Sequence, residues 1–167
     1  LLHVPFLKAL LSPLQEAGVP VALDTCGQVA PELWRDLLPL VSLWLWDIKS
    51  LDEARYREGT GGDLLLMRHS WEQVLDGPGR IWLRVPLIGG FNDSEADLER
   101  LLAWAAQAGK GRVERISLLS LHLTARDKYQ RLGRSFVLEE RQIPSRERLA
   151  HWQGVLEQAG YEVGLGS

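Results

Sequence analysis

The sequence predicts an α/β fold, a parallel sheet whose strands alternate with amphipathic helices. Three observations carry this. Helical and strand patterns alternate in the order helix, strand, helix, strand, helix, strand, helix, strand, loop, helix, the order of parallel strands joined by right-handed crossovers. The stretch Val41–Lys49 is a near-continuous apolar run closing in Asp47-Ile48-Lys49, which reads as a strand buried on both faces. Successive strands carry polar groups at or near their carboxyl ends, where parallel folds bind ligands. A complete eight-fold barrel usually needs about 250 residues, so the 167 residues here leave an open doubly wound sheet or an incomplete (β/α) barrel.

Each element has a local reason. From Pro5 to Ala17, Phe6, Leu7, Leu10, Leu11 and Leu14 recur at helical spacing, Pro13 is expected to kink the helix, and Gly18 stops it. Val19–Asp24 is a short strand that turns at Asp24-Thr25-Cys26-Gly27. Pro31–Leu38 reads as a helix with proline in its first position, followed by the Val41–Lys49 strand. Residues 52–58 form a short helical turn, with Gly59, Gly61 and Gly62 loosening the loop after it. Leu64–Leu75 is helical and ends at Gly77-Pro78-Gly79. Ile81–Ile88 is the third strand. Ser94 or Asp93 then caps a helix running to about Ala108, with acidic residues in its first turn. Val113–Leu121 is the fourth strand, residues 123–144 read as polar and irregular, and Ser145 caps a last helix ending at Gly160. Tyr161–Leu165 adds one short strand.

Composition excludes several classes. Hydrophobic residues make up 46% and charged residues 25%, ordinary for a globular domain, and residues 1–167 read as a single domain. The net charge of -3 lacks the basic footprint of a nucleic-acid binder. No apolar run approaches the roughly 18 residues that a membrane span needs. No secretory signal is visible in Leu1-Leu2-His3-Val4-Pro5. The lone cysteine, Cys26, excludes an internal disulfide and fits a reducing, cytoplasmic setting. The start at Leu1, without methionine, leads us to expect a fragment.

The candidate site is the set of polar groups on one rim: Asp24 with Thr25, Asp47 with Lys49, Arg84, and His122. Asp47 and Lys49 are two apart and leave the same face of their strand. Carboxylates suit an ammonium or ribose hydroxyls, Lys and Arg suit a carboxylate, and His suits a hydroxyl in either tautomer. A zwitterion or a nucleoside is the ligand class. His3, His69, His122 and His151 lack zinc spacing, and no phosphate loop, dinucleotide fingerprint or Ser-His-Asp order is present. Cys26 reads as a small turn residue, with no activating base nearby.

Motifs along nearly the whole chain carry a resemblance. They are Val21-Ala22-Leu23-Asp24-Thr25-Cys26-Gly27, then Asp47-Ile48-Lys49, then Tyr56-Arg57 with Thr60-Gly61. Next come Ile81-Trp82-Leu83-Arg84-Val85-Pro86-Leu87-Ile88 with Gly90-Phe91-Asn92-Asp93, then Leu118-Leu119-Ser120-Leu121-His122 with Lys128-Tyr129 and Leu132-Gly133. In this order they resemble the carboxyl-terminal two-thirds of the glycyl-radical-enzyme activating enzymes. These are radical S-adenosylmethionine (SAM) proteins and include pyruvate formate-lyase activating enzyme.

The resemblance implies an incomplete radical SAM (β/α) barrel lacking its first strands, with an exposed sheet edge. It implies SAM contacts at Asp24, Asp47, Ile48, Lys49, Arg84 and His122, with His122 near the ribose, and a monovalent-cation site at Asp24, Thr25 and Asp47. In such enzymes a [4Fe-4S] cluster reduces the sulfonium, and a 5'-deoxyadenosyl radical takes a hydrogen atom from a glycine of the partner. The implied partners are a glycyl radical enzyme and an electron donor such as flavodoxin or ferredoxin. The family's C-x3-C-x2-C motif and Gly-Gly-Glu-Pro strand are absent here, so the chain by itself is expected to lack radical activity. Smaller departures are Gly89-Gly90 for a Pro-Gly turn, Ser120-Leu121 for Pro-Tyr, and His69 for an asparagine. Two other readings stay open: a barrel lyase using Lys49 as a Schiff base, and a non-catalytic module that binds SAM or a partner.

Overall fold

The computed structural model describes residues 3–109 and 111–166. Five parallel strands form one sheet in the order β1 (Ala22–Thr25), β2 (Leu43–Asp47), β3 (Arg80–Leu87), β4 (Val113–Ser120) and β5 (Glu162–Gly166). The helices are α1 (Val4–Glu16), α2 (Trp34–Leu37), α3 (Glu53–Thr60), α4 (Leu64–Asp76), α5 (Glu95–Gln107), α6 (Arg126–Arg131) and α7 (Arg146–Gln158). Strand order follows chain order without a reversal. A doubly wound sheet reverses its order at a switch point, so this sheet has the winding of a barrel wall. Right-handed crossovers that always step the same way put the helices on one face.

The caps follow from side-chain chemistry. Asp52 accepts from the Arg55 N–H and opens α3, Asp63 accepts from Leu65 and Leu66 and opens α4, and Ser145 accepts from Arg148 and opens α7. Ser94 and Asp97 form a reciprocal capping box on α5. Gly61 ends α3 at φ 68°, in the left-handed region.

Helix-facing positions of the strands form the core: Trp44 and Trp46 on β2, Ile81, Leu83, Val85 and Leu87 on β3, Ile116 and Leu118 on β4. A line of indoles runs through it. Trp34 packs on Trp44 and Trp46 with ring centroids 5.4 and 5.8 Å apart, Trp46 on Trp71 at 5.4 Å, and Trp71 on Trp104 at 5.3 Å. These spacings lie in the favourable range for aromatic pairs.

Three expectations are corrected. The β2 strand is not buried on both faces: Trp44 and Trp46 are fully buried, while Leu43, Leu45 and Asp47 on the opposite side are partly exposed. Bulky apolar residues occupy both faces of β2, which hid the alternation. The helix expected over Pro31–Leu38 is broken into a 3-10 turn at Pro31–Leu33, the short α2, and a second 3-10 turn at Leu38–Leu40, where Pro39 lacks the N–H that would continue the α ladder. The irregular stretch 123–144 contains α6. None of its residues is buried, so it left no hydrophobic periodicity to read.

Candidate functional site

The face of the sheet away from the helices carries the site. Paired register sets Asp47 opposite Arg84 and Arg84 opposite Ser117, and sets Asp24 opposite Leu45, two positions before Asp47. Alternation turns Asp24, Asp47 and Arg84 to that one face.

There the side chains join in a single line of charge. The Arg84 guanidinium ion-pairs with Asp24 through Nη1, and its Nε lies 3.8 Å from Asp47 Oδ1. Lys49 Nζ donates to Asp47 Oδ2 at 3.1 Å. Two carboxylates and two cations therefore alternate as Asp24, Arg84, Asp47, Lys49. The Asp47 side chain is 21% exposed against 54% for Asp24, so Asp47 is the more desolvated carboxylate. Its Oδ1 is buried and accepts no hydrogen bond among the described residues. A buried carboxylate oxygen without a hydrogen-bond donor is costly, and the Arg84 guanidinium offsets part of that cost through space.

The remaining sequence-derived residues are placed differently. Ile48 is 3% exposed and sits in the core; its backbone N–H donates to the Arg84 carbonyl at 2.8 Å. Thr25 alternates to the helix side, and its Oγ1 accepts from the Gly27 N–H at 3.1 Å. The hydroxyl is thus turned away from Asp24 and Asp47. His122 follows β4 at the same end of the sheet, exposed, where it precedes the 3-10 turn Leu123–Ala125.

Two features escaped the sequence reading. A cavity of about 440 Å³ opens beside Lys49, with Pro86, Ile88 and Phe91 on one side and Tyr129, Phe136 and Val137 on the other. Its size suits a small-molecule ligand. The far wall belongs to the stretch read as irregular; there Tyr129 and Phe136 meet edge to face at 5.2 Å, and the Gly89 N–H donates to the Gln142 carbonyl at 2.7 Å. The second feature is Asn92, only 4% exposed, with an amide that reaches both Lys49 and β3. The signal for it was a polar residue after a Gly-Gly turn, but nothing in one sequence distinguishes a buried asparagine from a turn asparagine.

These groups fit an amino-acid nucleoside such as SAM. Asp47 offers a carboxylate for an ammonium, Lys49 and Arg84 offer cations for a carboxylate, and the cavity offers apolar and aromatic walls for a base. They do not fit an iron–sulfur cluster, which takes several thiolates. Cys26 is the chain's one cysteine, and no group of three or more His, Cys, Asp or Glu side chains among the described residues is arranged to hold a metal. No described helix is long and apolar enough to cross a membrane.

Comparison with known proteins points the same way. No protein-family model matches the chain. It is 34% identical over 134 residues to the choline trimethylamine-lyase activating enzyme of Oleidesulfovibrio alaskensis, a match covering 78% of this chain and 42% of that protein. It is 26% identical over 163 residues to the trans-4-hydroxy-L-proline dehydratase activating enzyme of Clostridioides difficile, covering 96% of this chain and 53% of that protein. The chain thus spans about half the length of the curated relatives it matches. Among solved structures, a domain of pyruvate-formate lyase-activating enzyme from Bacteroides vulgatus superposes with a TM-score of 0.80 at 24% identity, covering 99% of this chain and 92% of that one. That likeness concerns the fold. The sequence relatives are activating enzymes of a lyase and a dehydratase, the class of protein that the ordered motifs led us to expect.

Proposed function

We propose that residues 1–167 form the carboxyl-terminal part of a radical SAM core domain, and that this part supplies the SAM-binding rim of an activating enzyme. The observation that carries the reading is the charge line Asp24–Arg84–Asp47–Lys49 beside a ligand-sized cavity. In the whole protein this rim would serve the formation of a glycyl radical on a partner enzyme, in a cytoplasmic setting. The relatives' names speak for that class of partner, and an electron donor such as flavodoxin or ferredoxin completes the proposal. SAM held by Asp47, Lys49 and Arg84 would supply the hydrogen-abstracting chemistry in the whole protein.

The chain's own residues orient the ligand. Lys49 and Arg84 hold its carboxylate, and Asp47 receives its ammonium in the partly desolvated rim, where such contacts gain strength. Asp24 keeps Arg84 turned toward the rim. His122 stands at the same end to meet a ribose hydroxyl, and Ile48 contributes through its backbone and its packing. A cation at Asp24, Thr25 and Asp47 belongs to the same proposal, with Thr25 contributing from its main chain. Positioning and exclusion of water are the protein's task in such a reaction.

Lys49 is less suited to Schiff-base chemistry. Schiff-base lysines are activated in apolar pockets or beside other cations, whereas Lys49 is held by the Asp47 carboxylate.

Calorimetric titration of the chain with SAM tests the reading. The chain should bind, and Lys49→Met and Arg84→Gln should each weaken binding about tenfold or more, the worth of a charge-assisted hydrogen bond. Absence of binding to the unaltered chain would overturn it.

A further inference from the structure

We infer that Asn92 is a positioning residue that fixes the main chain at Lys49 and so holds the Lys49–Asp47 pair at the rim. The inference rests on the reading of the rim as a SAM site only for its consequence in binding; the positioning itself is a matter of geometry.

Paired register between β2 and β3 ends at Asp47 opposite Arg84, where the Ile48 N–H still donates to the Arg84 carbonyl at 2.8 Å. Two residues further along β3 comes Pro86, which has no N–H to offer β2. The β2–β3 ladder therefore goes no further than Ile48, and the Lys49 carbonyl lies beyond it.

Asn92 supplies donors at that place. Its Nδ2 donates to the Lys49 carbonyl at 2.8 Å and to the Pro86 carbonyl at 2.7 Å. Its Oδ1 accepts from the Ile88 N–H at 2.8 Å. A primary amide is the one short side chain with two donors and an acceptor in this arrangement. Aspartate has the shape but turns an oxygen toward two carbonyls, and glutamine is one methylene too long.

The loop that carries Asn92 is itself held. Arg55 Nη1 donates to the Phe91 carbonyl at 2.6 Å and to Asp97 Oδ2 at 2.9 Å. The Phe91 ring lies so close to Gly59 that a Cβ there would sit 2.6 Å from Phe91 Cζ. Asn92 thus links a loop clamped by α3 and α5 to the residue that carries the rim's ammonium. A residue needed only for folding would not act selectively on Lys49, and that selectivity is testable.

The experiment compares the unaltered chain with Asn92→Asp and Asn92→Ala by acetic anhydride labelling, reading each lysine by mass spectrometry. Lys8 and Lys128 serve as internal references. We expect labelling of Lys49 to rise severalfold in both variants, with Lys8 and Lys128 unchanged. Unchanged labelling of Lys49, or an equal rise at all three lysines, would overturn the inference. Asn92→Asp keeps the shape and the acceptor for Ile88 should Asn92→Ala fail to fold.

A second arm measures binding of SAM and of 5'-methylthioadenosine, which lacks the amino-acid group. Loss of SAM affinity with retained methylthioadenosine affinity, non-additive with Lys49→Met, supports action through Lys49. Equal losses for both ligands, or additivity with Lys49→Met, count against it. If the unaltered chain binds neither ligand, the reading of the site falls, and the labelling result still judges Asn92.

Discussion

Arg84 on β3 reaches across β2 to ion-pair with Asp24 on β1, a residue 60 positions earlier. Strands with one strand between them lie about 9–10 Å apart, a span that the long guanidinium side chain covers while passing Asp47. The pair is partly solvated, and pairs of that kind contribute roughly 0–1 kcal/mol. We therefore expect Arg84→Gln to leave the urea midpoint within about 1 kcal/mol of the unaltered chain while lowering SAM affinity. A large stability loss with unchanged affinity would make Arg84 a structural residue instead.

The indole line depends on one hydroxyl. Trp34 Nε1 donates to Ser70 Oγ at 2.9 Å, and Ser70 Oγ donates to the Val29 carbonyl at 3.2 Å, all of it buried. Ser70→Ala leaves an indole N–H and a carbonyl unpaired and should cost about 1–3 kcal/mol. The check is urea denaturation, where the midpoint should fall with an unchanged slope.

Gly27, in the turn after β1, stands at φ +73°, and a Cβ there would lie 2.7 Å from Trp46 Cζ2. Both the backbone and the neighbour oppose a side chain. Gly27→Ala should destabilise by about 2 kcal/mol or more, whereas Gly18→Ala, at φ +70° with nothing within 4 Å, should cost only the backbone part. Equal losses would show that the indole yields.

Alkaline pH should expose Tyr56. Burial, then the nearby Cys26 charge, push its hydroxyl above the usual value of 10.0, against a hydrogen bond from Gln28 that lowers it. A group whose folded pKa is raised contributes stability in full below its unfolded pKa and loses it as pH climbs through the folded pKa. Stability should therefore fall above about pH 10, and part of that fall should vanish in Tyr56→Phe. Identical alkaline profiles for the two proteins would contradict the assignment.

Reconstitution of this chain with iron and sulfide should give no stoichiometric [4Fe-4S] absorbance and no 5'-deoxyadenosine, since its one cysteine cannot supply the thiolates. Accumulation of deoxyadenosine would contradict this.

Much of this fold was legible because the alternation of strands and helices is local. The caps at Asp52, Asp63, Ser94 and Ser145 needed only neighbouring residues, and only Ser94 and Ser145 were read from the sequence. The sequence did not reveal that β2 has one open face, because Leu43 and Leu45 are as apolar as the buried Trp44 and Trp46. Nor did it reveal α6, which buries nothing. At the candidate site, the shared face of Asp24, Asp47 and Arg84 could be read because strand alternation fixes it. Asn92 could not, because its role depends on where the β2–β3 ladder stops, a relation visible only once β2 and β3 are paired.

The central claim, that this rim binds SAM, is tested most directly by following backbone amide resonances of the isotopically labelled chain as SAM is added. The account predicts saturable shifts at Asp24, at Asp47 through Lys49, at Arg84 and at His122, with residues lining the adjoining cavity moving along the same isotherm. Shifts confined to other surfaces, or none at all, would contradict it.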